Sequence, residues 1–389
     1  MCCLPTLVSP VVEQAMRENI PSWAEHLETI DYPMLTGDTE ADVCVVGLGG
    51  SGLSCIHELL RLGQRVIGID AGAVGGGAAG RNGGFLLAGT AEFYHDTVAA
   101  LGRDRARLIY QLTLDELDRI SLETPDAVRR NGSLRLADSE DEERDCQLQL
   151  AAMLADGFSV QLYDGPDGRG LIFPADGSFN PLARCRTLAR RAAELGASLH
   201  EQSRAISLSN GEVQTSAGRV RCKHVIVAVD GHLELLLPEL TGRVRTARLQ
   251  MLGTGPAPEV DIPRPVYSRW GYDYWQQLPD GRVVIGGCRD RFADTEWTND
   301  THPTNDVQRC IERVLRDTVG VTQPITHRWA AAVSYSSGIL PVMDQVRPDV
   351  WAIGGYSGTG NVIGALYGRM VAQIAVTGES EMFSVLAPK

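Results

Sequence analysis

The sequence predicts a two-domain α/β protein, in which a body built on a parallel sheet is interrupted by a part with a mostly antiparallel sheet. Two short apolar runs, at 41–46 and 66–69, flank a glycine-rich turn and a stretch whose apolar residues recur at helical spacing. This β–turn–α–β order is how a doubly wound parallel sheet begins. The region 248–290 instead alternates apolar and polar residues, which is typical of antiparallel strands.

Composition and charge exclude several classes of protein. The chain has 389 residues, enough for two or three domains at roughly 100–200 residues each. It carries 36 Lys and Arg against 49 Asp and Glu, and the formal net charge of −13 argues against a partner that is a nucleic acid or an anionic membrane surface. Its apolar runs are far shorter than the ~20 residues that cross a bilayer, so we expect no integral membrane segment.

The cysteine pattern predicts neither a metal site nor a disulfide framework. Nine cysteines are scattered along the chain without C-x-x-C spacing. Several lie in apolar runs, where cysteine behaves as a small buried hydrophobic residue. The first residues lack the basic stretch and apolar core of a signal peptide. These features together favour a cytoplasmic protein without a metal.

The remaining elements follow from periodicity and from the positions of Gly and Pro. Residues 1–40, with four prolines, are expected to form an extended arm or a short helix. The pattern predicts helices at 91–130, 140–157, 181–195, 305–319 and 361–376. It predicts strands at 131–138, 199–208, 212–215, 220–229 and 350–353, and a hairpin at 272–287.

The order of these elements implies that two domains are interleaved along the chain. The arm at 1–40 precedes both domains. The parallel body is predicted to be discontinuous, and its segments are 41–90, 180–240 and 345–389. The strand-rich part is predicted to have the segments 91–179 and 241–344.

A G-x-G-x-x-G motif at Gly47, Gly49 and Gly52 carries the first chemical prediction. Gly47 permits a tight turn, Gly49 lets the backbone approach a pyrophosphate, and Gly52 lets the helix pack closely on the strand. The helix start, which includes Gly50 and Ser51, offers unpaired N–H groups and a positive dipole to an anion. The motif therefore predicts a dinucleotide site.

Asp70 ends the next apolar strand, 18 residues beyond Gly52, near the spacing expected of an acidic residue that binds ribose. Its carboxylate would accept hydrogen bonds from both ribose hydroxyls and repel a 2′-phosphate, and Ala71 is also expected to contact the cofactor. Because NAD and FAD share this unit, an NAD-dependent dehydrogenase is one alternative at this point.

Residues 80–84 (GRNGG) resemble the GASGRNGG segment of the D-amino-acid-oxidase-like superfamily of FAD-dependent oxidoreductases. The resemblance extends over nearly the whole chain, because further segments follow in that family's order: ADVCVVGLGGSG, NGSLRLAD, PLARCRTLARRAAELGASLHE, HVIVAVDGH, YDYWQQLPDGRVVIGG and WAIGGYSGTGNVIG. The branch with gamma-glutamylputrescine oxidase and glycine oxidase-like enzymes is the most similar. The resemblance implies a Rossmann-like FAD-binding domain and oxidation of amines or amino acids.

The resemblance also implies which residues hold the FAD. Arg81 is expected near the pyrophosphate or the dimethyl edge of the flavin, and the main chain of Ile206 near the adenine. The other residues expected at the cofactor are Gly80, Asn82, Gly83, Gly84, Gly355, Ser357, Gly358, Thr359, Gly360 and Asn361. The small residues at 355–360 would let a helix N-terminus approach the ring and stabilise the charge that appears at flavin N1–C2=O on reduction.

The substrate site is expected to come from the strand-rich part. Tyr272 and Tyr274 alternate along a strand, so both could face the flavin and bound a cage for an amine, or they could only pack the sheet. Arg289 follows the hairpin and could hold a substrate carboxylate through two parallel hydrogen bonds. Arg269 and Arg328 are its rivals for this role.

Trp329 is a further candidate for positioning the substrate, at the start of a segment that departs from the family pattern. The family's Gly is Ala331 here, its Thr-Pro-Asp is 336–338 (SSG), and its last Gly is Asp344. These departures concern the identity of the substrate. Some relatives attach flavin through Cys or His, but residues 329–331 are WAA and no His directly follows Gly84, so noncovalent FAD is expected.

The predicted reaction is oxidation of the C–N bond of an amine or amino acid, in which hydride passes from the α-carbon to flavin N5. This chemistry needs no obligatory protein acid or base, and the sequence shows no nucleophile motif. The electron acceptor, oxygen or another compound, stays open. An NAD-dependent dehydrogenase and a catalytically idle flavin-bound structural or partner-binding protein are the alternatives.

Overall fold

The computed structural model describes residues 17–387, so part of the predicted arm, residues 1–16, and the last two residues lie outside the described residues. The strands are β1 Arg17–Glu18, β2 Gly37–Glu40, β3 Val43–Val46, β4 Val66–Ile69, β5 Phe85–Leu86, β6 Val128–Arg129, β7 Ser133–Leu136, β8 Gln161–Gly165, β9 Gly168–Phe173, β10 Gly177–Phe179, β11 Ser198–His200, β12 Ser207–Ser209, β13 Glu212–Gln214, β14 Gly218–Arg221, β15 His224–Val227, β16 Val244–Pro256, β17 Val266–Ser268, β18 Asp273–Gln277, β19 Arg282–Gly287, β20 Ile325–Ser336, β21 Val342–Arg347 and β22 Val350–Gly354. The helices are α1 Gly50–Arg61, α2 Tyr94–Leu101, α3 Arg103–Glu123, α4 Glu140–Ala155, α5 Pro181–Glu194, α6 Leu233–Leu236, α7 Ala293–Glu296, α8 Asn305–Asp317, α9 Ile363–Thr377 and α10 Phe383–Leu386.

A six-stranded sheet forms the α/β body, with strand order β11-β4-β3-β15-β22-β21. All of its pairs are parallel except β21 with β22. Every residue of β3 and β4 is buried, which explains why these strands are apolar throughout. Helices α1, α5 and α9 contribute to the core on one face. The strands β3, β4 and β22 end at the same edge, where ligands of such sheets bind.

A nine-stranded sheet forms the second layer, with order β1-β20-β16-β19-β18-β17-β7-β9-β8. Its pairs are antiparallel apart from β1 with β20 and β17 with β7. Helix α8 covers one face through Val307, Ile311 and Leu315. The fold class is therefore confirmed: a parallel sheet and a mostly antiparallel sheet share one chain. The domain boundaries stay a prediction.

Two smaller sheets complete the described structure. The order of one is β12-β13-β14-β2, and that of the other is β5-β10-β6. The described part of the predicted arm contains a 3₁₀ helix, Ser22–Ala24, whose Trp23 is 2% exposed. The Trp23 indole donates to the Asn82 carbonyl oxygen at 2.9 Å, so the arm packs on the GRNGG segment.

The structure corrects three predictions about local structure. The strand predicted at 199–208 is two strands, β11 and β12, separated by a loop, and that at 220–229 is also divided, into β14 and β15. The helix predicted at 91–130 is two helices, because Gly102 adopts φ 83° between α2 and α3, and it ends at Glu123, before β6. Cys288 and Cys310 form a disulfide, which the cysteine spacing did not predict.

Within residues 17–387, no helix is long and apolar enough to cross a bilayer. In the same range, no group of three or more His, Cys, Asp or Glu side chains is placed to hold a metal ion.

Candidate active site

A cavity of about 1430 Å³ lies where the carboxyl edge of the six-stranded sheet meets the nine-stranded sheet. Ligand pockets are usually about 300–1,000 Å³, so this cavity has room for more than one small molecule. Eighteen of the residues that the sequence singled out line it: Gly47, Gly49, Gly50, Ser51, Asp70, Ala71, Arg81, Asn82, Gly83, Ile206, Tyr272, Tyr274, Arg289, Ser357, Gly358, Thr359, Gly360 and Asn361.

The turn before α1 builds one wall of this cavity. A Cβ at Gly52 would overlap the Gly47 carbonyl oxygen, and Gly47 itself adopts φ 110° against the backbone of Ala228. Neither glycine tolerates a side chain. The main-chain N–H groups of Gly49, Gly50 and Ser51 have no partner within the described residues. The turn therefore presents three free donors and the positive end of α1 to the cavity.

Asp70 is held beside this turn by two main-chain donors. Its carboxylate accepts from Leu48 N at 2.7 Å and from Gly72 N at 2.8 Å. Burial raises the pKa of Asp70, while these two hydrogen bonds lower it. Each oxygen keeps a lone pair for a further donor, so the carboxylate can still accept from a sugar hydroxyl.

Asn82 and Asn361 join two segments that are 279 residues apart. Each amide donates to the other, at 3.0 Å and 3.1 Å. Asn82 also donates to the carbonyl oxygens of Ala78 and Ala79, and Asn361 to that of Phe85. These bonds hold the GRNGG turn against the start of α9, so the predicted glycine-rich segments do meet.

The segment between β22 and α9 turns sharply around Asp230. This carboxylate accepts from the main-chain N–H groups of Gly355 and Tyr356, at 2.9 Å and 3.3 Å, and from Ser334 N at 3.2 Å. Burial raises the pKa of Asp230 to about 6. The N–H groups of Gly358 and Gly360 have no partner in the described part of the chain. The segment thus offers free donors to the cavity.

Arg81 lines the cavity, but its guanidinium is held by the protein. It donates to the Ala330 carbonyl oxygen at 2.8 Å and to the Asn19 carbonyl oxygen at 3.0 Å, and it also contacts the Asn19 side chain. Burial lowers the pKa of Arg81 to about 10. The side chain therefore ties the arm and β20 to the GRNGG turn.

Five predicted residues lie behind the cavity wall and not on it. They are Gly52, Gly80, Gly84, Gly355 and Trp329. Trp329 is fully buried and donates from its indole to the Arg81 carbonyl oxygen at 2.8 Å, so the structure gives it a supporting position and not contact with a substrate. Ile206 is on the wall, but its N–H already donates to Gln214 O at 2.8 Å, which leaves its carbonyl oxygen for a ligand.

Arg289 lies among aromatic rings at the other end of the cavity. Its guanidinium carbon is 4.5 Å from the ring centroid of Tyr335, 5.1 Å from that of Trp297 and 5.6 Å from that of Tyr272. Within residues 17–387 it makes no ion pair with a carboxylate. Tyr274 is close by, and burial raises its pKa although Arg289 lowers it.

The two rival arginines are engaged elsewhere. Arg269 pairs with Asp273 at 2.7 Å and also with Asp290. Arg328 pairs with Glu312 at 2.8 Å and donates to Gln308 at 3.0 Å. Neither lines the cavity, so among these three candidates the geometry favours Arg289 as the cation available to a ligand.

Sequence reasoning missed Arg184, which also lines the cavity. Its side chain is 3% exposed, and Nε and Nη2 are buried without a hydrogen-bond partner. Glu123 lies 3.8 Å from Nη2, and Nη1 is 3.6 Å from the point where a Cβ at Gly50 would be. Its place in the PLAR segment, at the start of α5, was the available signal, but only the packing of α5 on α1 reveals its role.

Comparison with known proteins adds the family. The family described as "FAD dependent oxidoreductase" (DAO) matches residues 42–374. A probable oxidoreductase OrdL of Rhizobium meliloti (strain 1021) is 27% identical over 90% of this chain and 86% of its own length. Gamma-glutamylputrescine oxidoreductase of Escherichia coli (strain K12) is 26% identical over 92% of this chain and 88% of its own length.

Solved structures show the same fold. Glycine oxidase from Geobacillus kaustophilus superimposes with a TM-score of 0.74 at 20% identity, covering 90% of this chain and 99% of that one. L-proline dehydrogenase from P. horikoshii superimposes with a TM-score of 0.71 at 20% identity, covering 89% and 96%.

Proposed function

This chain belongs to the DAO family of FAD-dependent oxidoreductases, and from that premise we propose that it oxidises the C–N bond of an amine or amino acid that carries a carboxylate. The single observation that supports this most directly is Arg289, a cation free of carboxylate partners within residues 17–387 and enclosed by Tyr272, Tyr335 and Trp297. The alternative function, an NAD-dependent dehydrogenase, does not fit a family whose members depend on FAD.

The residues of the cavity fit FAD. The free N–H groups of Gly49, Gly50 and Ser51 would hold the pyrophosphate, with Arg184 as a buried cation beside them. Asp70 and the Ile206 carbonyl oxygen would hold the adenosine end. Asn82 and Asn361 bring the Gly358 and Gly360 donors to the opposite end, where a flavin ring would lie.

FAD supplies the acceptor for a hydride from the substrate's α-carbon, which leaves an imine that water hydrolyses. The chain's own residues bind and orient the substrate. Arg289 would hold the carboxylate by two parallel hydrogen bonds, and Tyr272 and Tyr335 would stack on its guanidinium. Tyr274 lies on the same wall, and its raised pKa keeps its hydroxyl protonated at neutral pH, so it can donate but not act as a base.

Noncovalent binding of the FAD is part of the proposal. Among the described residues, Cys185 is the one cysteine that lines the cavity. Burial raises the pKa of its thiol to about 11, which keeps it unreactive. The proposed location is the cytoplasm, although the Cys288–Cys310 disulfide does not support it. The acceptor of the electrons, oxygen or another compound, is left to experiment.

The test is an anaerobic titration of the purified protein with amines, D- and L-amino acids and N-methyl amino acids, followed by flavin absorbance. The proposal expects at least one carboxylate-bearing amine to bleach the flavin, and the same amine without its carboxylate to do so far less. If no amine bleaches it, the chain is a flavin-bound protein with a structural or partner-binding role.

A further inference from the structure

The nine-stranded sheet carries a second arginine into the same cavity, away from Arg289. Arg135 on β7 pairs in register with Tyr267 on β17, and Tyr267 pairs with Tyr274 on β18. All three line the cavity. The Arg135 guanidinium carbon lies 3.9 Å from the ring centroid of Phe93 and 4.8 Å from that of Tyr267. Both rings are within cation–π distance of the guanidinium.

The Arg135 guanidinium is incompletely paired in the described part of the chain. Arg135 Nε is buried without a hydrogen-bond partner, and Arg135 forms no ion pair there. The nearby Asp176 already accepts from Ser133 Oγ at 2.5 Å and from Ala88 N at 3.0 Å. Because a cation in such a place is costly until it is paired, the site is completed when an anion binds.

Gln149 on α4 adds a second unsatisfied group to the same wall. It is 5% exposed, its Oε1 is buried without a partner, and its Nε2 has only the Met153 sulfur, at 3.6 Å. Sulfur is a weak acceptor, so the Gln149 amide is free to rotate its N–H₂ toward a ligand. Cys146 and Met153, on either side of Gln149 along α4, pack in one core cluster with Phe93 and Tyr267, the two rings that contact Arg135. Arg135 and Gln149 together are suited to a carboxylate.

We infer that the cavity has a second carboxylate subsite at Arg135 and Gln149, and that the substrate class is an amino dicarboxylate, with one carboxylate at Arg289 and one at Arg135. Only the carboxylate site at Arg289 depends on the proposed function, and the subsite at Arg135 does not. Tyr274 connects the two ends along the sheet. Its backbone is two strands from Arg135, roughly 10 Å, and it pairs on its other side with Gly286, three residues before Arg289. The two cations therefore face one elongated space.

The experiment measures binding of straight-chain dicarboxylates, from malonate to suberate, to the FAD-loaded protein by calorimetry. Monocarboxylates of the same chain lengths are the reference ligands. The inference expects one dicarboxylate length to bind about tenfold or more tighter than its monocarboxylate, since a charged hydrogen bond contributes that much. The Arg135→Gln variant should lose this preference and keep the affinity for monocarboxylates.

Two further variants keep the test decisive. Arg130→Gln is the matched control: Arg130 is also near β7 but pairs with the exposed Asp118, and it should keep the preference. Gln149→Glu places a negative charge in the subsite, so it should abolish the preference even if Arg135→Gln fails to fold. A wild-type protein without the preference, or variants at 135 and 149 that retain it, would overturn the inference.

Failure of this inference and failure of the proposed function give different results. If amino monocarboxylates bleach the flavin but dicarboxylates bind no better, only the second subsite is wrong. If no amine bleaches the flavin but the dicarboxylate preference depends on Arg135, the subsite stands and the proposed reaction is wrong.

Discussion

The two ends of the cavity present different kinds of groups to a ligand. At the end beside α1, main-chain groups dominate: the donors belong to Gly49, Gly50 and Ser51, and Gly52 is small because a Cβ would overlap the Gly47 carbonyl oxygen. At the end against the nine-stranded sheet, side chains dominate, with Arg135 and Arg289 set among aromatic rings. Backbone sites leave a strict pattern in a sequence, and side-chain sites do not.

The cavity also differs from the rest of the molecule in charge. The chain carries a formal net charge of −13, yet five arginines line the cavity: Arg81, Arg135, Arg184, Arg204 and Arg289. Two of its acidic residues, Asp176 and Asp230, have pKa values raised by burial to about 7 and about 6, so they carry less than full charge near neutrality. An acidic protein thus holds a basic cavity, which suits anionic ligands.

The largest effect on FAD binding is expected at the end of the cavity beside α1, where main-chain groups dominate. Gly52→Ala should abolish FAD binding or folding, because the new Cβ meets the Gly47 carbonyl oxygen and forces α1 away from β3. Gly255→Ala is the matched control, since a Cβ there has nothing within 4 Å. Flavin content of the purified proteins measures the effect. A Gly52→Ala protein with full flavin content would mean that the close approach is not needed.

Arg184→Gln should weaken FAD binding by about ten- to a hundredfold, as expected for a charged hydrogen bond to a phosphate. The loss should shrink for riboflavin, which lacks phosphate. Arg190→Gln, on the exposed side of the same helix, serves as the control. Equilibrium titration of the apoprotein gives the affinities, and equal FAD affinity in both variants would remove Arg184 from the pyrophosphate site.

Arg289→Gln should act at the other end only. We expect KM for a carboxylate-bearing substrate to rise about tenfold or more, while flavin content and spectrum stay unchanged. Arg309→Gln, an exposed arginine on α8, is the control. An Arg289 variant with unaltered KM would place the substrate carboxylate elsewhere.

The smallest expected effect is a change in the pH dependence of stability when Asp176 is replaced. Its folded pKa of about 7 exceeds the ordinary 3.8, so the folded state binds the proton more tightly and stability falls as pH rises from about 4 to 7. Asp176→Asn removes this titration. Its melting temperature relative to that of the wild type should therefore rise by roughly a few degrees between pH 5 and pH 8. Melting curves across this range measure the difference, and parallel curves would contradict it.

Much of the backbone end could be predicted from the sequence. The glycines of 47–52 and Asp70 follow a strand and open a helix, and each has a steric or hydrogen-bonding reason to be there. Asn82 and Asn361 were expected at the cofactor, but not their mutual hydrogen bonds across 279 residues. That pairing depends on tertiary structure, which local patterns do not record.

The side-chain end was predicted less well for the same reason. Trp329 was expected near a substrate, but β20 points its ring behind the wall, onto the Arg81 carbonyl oxygen. Arg135 and Arg184 were not predicted to be at the site, since an arginine on a strand or helix usually lies on the surface. Only the register of β7 beside β17, and the packing of α5 on α1, bring them to the cavity.

The central claim is that the turn before α1 and the segment between β22 and α9 hold a single FAD. The most direct measurement compares the affinity of the apoprotein for FAD with its affinities for ADP and for riboflavin, which each represent one end. We expect one FAD per chain, bound far more tightly than ADP or riboflavin, because both segments contribute to binding the same molecule. Binding of FAD that is no tighter than binding of ADP would contradict it.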